Sequence, residues 1–277
     1  MNYKIEKDKI VISDLKTFDI KSILDSGQMF RYRLENGEYV VQSCDKVAKI
    51  SYIDAKNVVL TSKNLNYFAK FFDFDTNYDI ILTELSKFNF MAPALKYSCG
   101  VRILKQDALE TLISFIISAN NNIKRIKKSV NYICEHFGKK LEDGNFAFPT
   151  LEELSHITEK DFVLAGTGYR APYLVKTVQK LCSGFDLKAL EKMPTEQAKK
   201  ELLTLPGVGP KVADCVLLFG LRHKKVFPVD TWIAKVYNDY FDKNEQNRQK
   251  MRSHLVETFG DLSGIAQQYL FYYKREN

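Results

Sequence analysis

At 277 residues, with 45% apolar and 13% aromatic side chains, the chain is long enough for one large domain or two ordinary ones and has ample material for a packed core. Its formal charge of +7 is modest for a nucleic-acid binder, so the positions of the cations say more than their sum. The cations gather at Lys124, Arg125, Lys127 and Lys128, at Arg170, Lys176 and Lys180, and at Arg222, Lys224 and Lys225; each run taken singly reads first as a solvated face.

The opening MNYKIEKDKIVISDLKTFDI alternates charged and apolar types and holds no unbroken apolar stretch. Neither a signal peptide nor a membrane span is expected there, and the expected location is cytoplasmic, at the nucleoid in a bacterium or archaeon. Five cysteines, Cys44, Cys99, Cys134, Cys182 and Cys215, lie far apart without a C-x-x-C pair. They suggest neither a zinc site nor a disulfide framework, and reduced thiols are expected.

From Tyr3 to about Lys63 the segments YKIEKDKIVI, MFRYRLENGEYVVQSC, VAKISYI and NVVLTS are β-branched and aromatic, and Glu35-Asn36-Gly37-Glu38 has the composition of a hairpin turn. An antiparallel sheet is predicted, interrupted by one short helix, DIKSILDS, that runs into Gly27. After Asn64 apolar residues recur every three to four positions, through ALETLISFIISANNNIKRIKKSVNYICEHFG and around Leu151, Lys160, Tyr173, Glu196, Val212 and Thr231. Start signals stand at Thr150-Leu-Glu-Glu and Thr195-Glu-Gln, and stop signals at Gly138, Gly184 and Gly260. The fold class is therefore α+β: an N-terminal antiparallel β domain with short helices over 1–100, then a mostly helical domain over 101–277, with an active site expected between them.

TEQAKKELLTLPGVGPKVADCVLLFGL, within 195–220, reads as helix, tight turn, helix, with Leu202, Leu203 and Leu205 before the turn and Val212, Val216, Leu217 and Phe219 after it. The glycines of Gly207-Val208-Gly209 permit close backbone approach, and the second helix opens with unpaired N–H groups, so such a turn can hold a DNA phosphate without reading sequence. A plain αα-hairpin uses the same turn residues. Lys211 stands just past the turn. Nineteen residues later Asp230 follows an extended Phe-Pro-Val and precedes a new helical pattern, which makes it a good N-cap with one carboxylate oxygen to spare. An amine beside a carboxylate suits Schiff-base chemistry at a sugar carbon.

LPGVGPKVADC followed by FPVD resembles the helix-hairpin-helix glycosylase superfamily. SGQMFRY (26–32), ISANNNIKRI (117–126), GTGYRAPY (166–173) and AQQYLF (266–271) resemble its eukaryotic-type 8-oxoguanine DNA glycosylases, in the family's order from about Leu24 to Phe271. The resemblance implies Lys211 and Asp230 as the catalytic pair. It further implies a base site in which the Gly27 carbonyl takes the lesion's N7–H, Cys215 and Phe271 flank the base, and Gln267 binds its edge. Asn120, Arg125, Tyr169 and Arg170 would fill the vacated position and read the opposite cytosine. Read from the residues alone, Gly27 ends a helix, Cys215 and Phe271 are core residues, Asn120 marks a helix end, and the two arginines are phosphate contacts.

Two departures stand out. Trp232 occupies a place where many members have a histidine, and no cysteine follows Cys215, so the iron–sulfur cluster of other branches is not expected. The expectation is a monomeric, cofactor-free and metal-free DNA N-glycosylase and abasic-site lyase, acting on 8-oxoguanine in double-stranded DNA, with no membrane partner. A glycosylase of the same fold for an alkylated or mismatched base, and a non-catalytic helix-hairpin-helix DNA-binding protein, are the alternatives.

Overall fold

A computed structural model describes residues 1–277 as two units, each assembled from separated segments: Met1–Gln28, Ile50–Lys105 and His223–Asn277 in the first, Met29–Lys49 and Gln106–Arg222 in the second. The strands are β1 (Asn2–Ile5), β2 (Lys9–Ser13), β3 (Tyr32–Glu35), β4 (Glu38–Ser43), β5 (Lys46–Tyr52) and β6 (Asn57–Thr61), in the sheet order β1-β2-β6-β5-β4-β3. Alternation fixes the register of β2 on β6: Ile10 and Ile12, both fully buried, pair with Leu60 and Val58. The predicted β3–β4 turn forms with Glu35 opposite Glu38. Asn36 and Gly37 are both left-handed, at φ 50° and 82°, as a two-residue hairpin requires.

In the first unit the helices are α1 (Ile20–Asp25), α2 (Leu65–Phe71), α3 (Tyr78–Leu85) and α4 (Ala92–Ser98); in the second, α5 (Ala108–Ser118), α6 (Ile123–Phe137), α7 (Leu151–Ser155), α8 (Glu159–Leu164), α9 (Ala171–Cys182), α10 (Thr195–Leu203) and α11 (Pro210–Cys215). The first unit resumes with α12 (Thr231–Tyr240), α13 (Arg248–Phe259) and α14 (Ser263–Glu276). Its helical core gathers Met91, Val101, Phe227, Ile233, Leu255, Tyr269 and Leu270. Buried Arg102 is fully engaged there: Nε, Nη1 and Nη2 donate to the carbonyls of Phe72, Thr17, Asp73 and Thr76, and its guanidinium lies 4.0 Å from the Tyr78 ring centroid.

Within the second unit, α5 is buried along most of its length and stacks Phe115 on Phe219, centroids 5.5 Å apart. An unsignalled ion pair, Arg31 to Glu110 at 3.4 Å, is buried nearby, and burial pushes the Glu110 carboxyl above its ordinary value despite the guanidinium.

The start signals differ in outcome. Thr150 and Glu153 form a full capping box on α7, whereas Thr195 is the first helical residue of α10, preceded by Pro194 with no side-chain cap. Of the leucines before the hairpin turn, Leu202 and Leu205 are buried but Leu203 is 41% exposed, because one residue's step along a helix turns it off the apolar face.

Candidate active site

The hairpin in the second unit is held by its own backbone, by side chains of α9 and by an ion pair between its two helices. After α10 the backbone N–H of Leu205 donates to Leu202 and that of Val208 to Leu205; the Thr177 hydroxyl donates to the Pro206 carbonyl at 2.7 Å, and Lys180 Nζ to the Thr204 carbonyl at 3.0 Å. A buried ion pair, Lys199 Nζ to Asp214 at 2.9 Å, ties α10 to α11.

The two turn glycines differ. Gly207 sits at φ +80°, and a Cβ there would meet the Tyr173 Cβ at 2.8 Å, so the fold itself demands glycine. Gly209 is extended, at φ −88° and ψ 176°, and a Cβ there would meet nothing within 4 Å. Gly207→Ala is therefore expected to cost about 2 kcal/mol or more of stability. Gly209→Ala should change stability by less than about 1 kcal/mol and, on the expectation that this turn holds a DNA phosphate, weaken DNA binding, because the added methyl would stand on the open backbone. Thermal melts paired with duplex titrations check both, and an alanine at 209 that binds DNA normally would remove the hairpin from the interface.

Lys211 is the second residue of α11, half-buried, with Nζ 5.1 Å from the Phe115 ring centroid and no hydrogen bond or ion pair. Cys215, one turn further on the same helix, is 3% exposed. From Val216 to Gly220 the helix widens into a π turn, a rare geometry that recurs near functional sites.

The same unit gathers three of the four predicted wedge residues at the α5–α6 junction. The apolar pattern here is carried by two helices broken at 119–122, at the helix end that Asn120 marks in the sequence; exposed Asn120 is left-handed at φ 48°, and Asn122 caps α6 through Arg125 N–H. Arg170, 5% exposed, donates through Nε to the Ala119 carbonyl, through Nη2 to Ala119 and Asn120, and through Nη1 to Thr167. Tyr169 lies 58% exposed with its hydroxyl on the Ala119 carbonyl. Arg125 points from α6 as an exposed cation.

In the first unit, Gly27 at φ +81° lies against α14: a Cβ on it would fall 3.0 Å from Arg275 Nη1 and 3.3 Å from the Phe271 ring. Its flanks are fixed by residues that carry no local sequence signal. Gln268 Nε2 donates to the Ser26 carbonyl at 2.7 Å, and Gln28 donates to the Ile23 and Arg102 carbonyls while accepting from the Leu104 N–H. The Gly27 carbonyl accepts no hydrogen bond from the protein. Gln267, on α14, is 4% exposed, and its Oε1 is buried without a partner. Asp230 is the predicted N-cap of α12: Oδ1 accepts from Trp232 and Ile233 N–H at 3.0 and 2.9 Å, and Oδ2 accepts nothing. The Trp232 ring has Lys235 Nζ 4.6 Å from its centroid. No group of three or more histidines, cysteines and carboxylates is placed to hold a metal, and no helix is long and apolar enough to cross a membrane.

Residues 113–260 match the HhH-GPD superfamily of base excision DNA repair proteins, and residues 10–112 match the N-terminal domain of 8-oxoguanine DNA glycosylase. The chain is 38% identical over 216 residues to the N-glycosylase/DNA lyase OGG1 of Arabidopsis thaliana, an alignment spanning 70% of this chain and 59% of that protein. It is 31% identical to the N-glycosylase/DNA lyase of Saccharomyces cerevisiae, over 91% of this chain and 76% of the relative. The crystal structure of the Clostridium acetobutylicum 8-oxoguanine glycosylase/lyase, in complex with double-stranded DNA containing cytosine opposite 8-oxoguanine, superposes with a TM-score of 0.94 at 40% identity, covering 100% of this chain and 98% of that one.

Proposed function

Because the chain belongs to the HhH-GPD superfamily of base excision repair proteins, and within it to the N-glycosylase/DNA lyases, we propose that it excises 8-oxoguanine from duplex DNA with Lys211 as the nucleophile and then nicks the strand. One contrast carries the assignment of the lysine. Of the two half-buried or buried lysines in the hairpin, Lys199 is paired with Asp214, while Lys211 has no counter-charge and no acceptor. A half-buried, unpaired amine contributes little to the fold and is available to react.

Lys211 Nζ attacks C1′ of the extruded nucleotide, the C1′–N9 bond breaks, and the base leaves with the bonding pair and takes up a proton. Opening of the sugar ring gives an imine between Nζ and C1′. Loss of a C2′ proton then expels the 3′ phosphate by cleavage of C3′–O3′. Asp230 serves this sequence through Oδ2, which its capping duty leaves unused, by stabilising positive charge developing at the sugar. Oxidation of guanine turns N7 from an acceptor into a donor, so the unengaged Gly27 carbonyl distinguishes the two bases. Gln267 Oε1, buried without a donor, is satisfied by the N–H edge of the same base, and Phe271 and Cys215 supply its stacking faces.

Opposite-base reading divides between the two arginines. Four of the five Arg170 N–H groups are committed to the carbonyls of Thr167, Ala119 and Asn120, so Arg170 shapes the wedge more than it reads a base, whereas exposed Arg125 is free to read. Arg125→Ala is expected to remove about 1–3 kcal/mol of discrimination in favour of cytosine. Arg170→Ala should instead slow excision opposite all four bases and lower thermal stability. End-labelled duplexes carrying 8-oxoguanine opposite each base test both variants and the activity itself. Excision of an alkylated base in preference to 8-oxoguanine would establish the sister specificity instead.

A further inference from the structure

Arg275 lies within the recognition region of the first unit and is assigned by none of the motifs. Its side chain is 15% exposed. Nε donates to Glu276 Oε1 at 2.8 Å and Nη2 to the Asp25 carbonyl, the last residue of α1, two positions before Gly27. Nη1 is buried and donates to nothing. It is also the atom nearest the open face of Gly27, at 3.0 Å from where a Cβ would stand, with the Phe271 ring beside it and the guanidinium 5.3 Å from that ring's centroid.

A buried donor without an acceptor is costly, and the contrast with Arg102 shows that this fold can satisfy a buried guanidinium on every nitrogen. Nη1 therefore has the character of a donor kept for an acceptor that arrives with the ligand. On the reading given above, the base that docks at Gly27 presents its N7–H to the glycine carbonyl. In 8-oxoguanine that N–H is flanked on both sides by carbonyl oxygens, O6 and O8. Gly27, Phe271 and Arg275 Nη1 thus converge on the one edge of the base that carries the lesion.

We propose that Arg275 is a base-binding residue whose Nη1 donates to a carbonyl oxygen flanking N7 of the lesion base, completing a donor–acceptor pair with the Gly27 carbonyl. This rests on the reading of Gly27 as the N7–H acceptor. Bonding to O8 would discriminate against guanine directly, since guanine has no oxygen there; bonding to O6 would hold the base without discriminating.

The test is single-turnover kinetics of Arg275→Leu on duplex containing 8-oxoguanine and on duplex containing a preformed abasic site, alongside the thermal melt. Loss of excision by about tenfold or more, the size of one charge-assisted hydrogen bond, with abasic-site cleavage unchanged, is the expected result, the lost bond to the Asp25 carbonyl lowering the melting temperature by only a few degrees. Base recognition has then failed while Lys211 chemistry persists. An 8-thioguanine duplex separates the two acceptors: a variant penalty that shrinks there identifies O8, and one that stays identifies O6. Unchanged excision, or a parallel fall in excision, abasic-site cleavage and stability, overturns the proposal and makes Arg275 a structural link between α14 and α1. Failure of the wild-type enzyme to excise 8-oxoguanine would instead overturn the underlying reading of the site.

Discussion

A Gly27→Val enzyme is expected to bind undamaged duplex like the wild type and to lose excision of 8-oxoguanine by about a hundredfold or more, equivalent to ~2.7 kcal/mol of transition-state stabilisation. Two independent features produce the effect. Gly27 holds φ +81°, where a β-branched residue is strained by about 1–2 kcal/mol or more, so the backbone tends to rotate and carry the carbonyl off its line. A valine Cβ would also stand 3.3 Å from Phe271 and 3.0 Å from Arg275 Nη1, with its two methyl groups reaching further into the space a base must occupy. Cleavage of a preformed abasic site should be affected much less, because no base has to be accommodated. Wild-type excision by the valine variant, measured under single-turnover conditions, would remove Gly27 from the recognition site.

The contrast between Gly27 and Gly209 shows what a sequence can and cannot say about such positions. Both glycines follow motif residues, yet Gly27 and Gly207 are held by the fold through left-handed backbone and close neighbours, whereas Gly209 is free of any protein neighbour. Neither distinction has a local signature. Features decided within a few residues were legible: the Asn36-Gly37 hairpin turn, the Thr150 capping box, the Asp230 cap and the helix–turn–helix around Gly207.

Features decided by partners distant in sequence were not. Gln268 reaches back 242 residues to the Ser26 carbonyl, and Arg275 reaches 250 residues to that of Asp25. The doubled glutamine of AQQYLF is the trace of the first of these, since helical spacing turns its two members to different neighbours: Gln267 is left with an unpartnered Oε1 and Gln268 is bonded. Arg170 shows the opposite case, a residue whose motif suggests base contact but whose donors the structure commits largely to its own backbone. By contrast, the helix end at Asn120 was legible in the polar run Asn120-Asn121-Asn122, even though apolar spacing resumes beyond it, and the left-handed backbone there is one that asparagine tolerates.

The largest effect is expected at Lys211, and it separates the two roles a lysine past the hairpin can have. A phosphate anchor removed by Lys211→Gln would weaken binding to all DNA and lower the salt dependence by about one counter-ion, leaving turnover of bound substrate intact. A nucleophile removed by the same change would leave lesion binding in place and abolish excision, since glutamine cannot form an imine. The hairpin can hold phosphate through its backbone N–H groups without help from this amine, which argues for the second outcome.

Borohydride trapping on 8-oxoguanine duplex reads the chemistry directly, because reduction converts the transient imine into a stable amine joining protein to DNA. Wild-type protein should be captured as a covalent adduct whose cross-linked peptide maps to Lys211, and the Lys211→Gln variant should yield none. An undiminished adduct in the variant would place the nucleophile on another amine and contradict the mechanism.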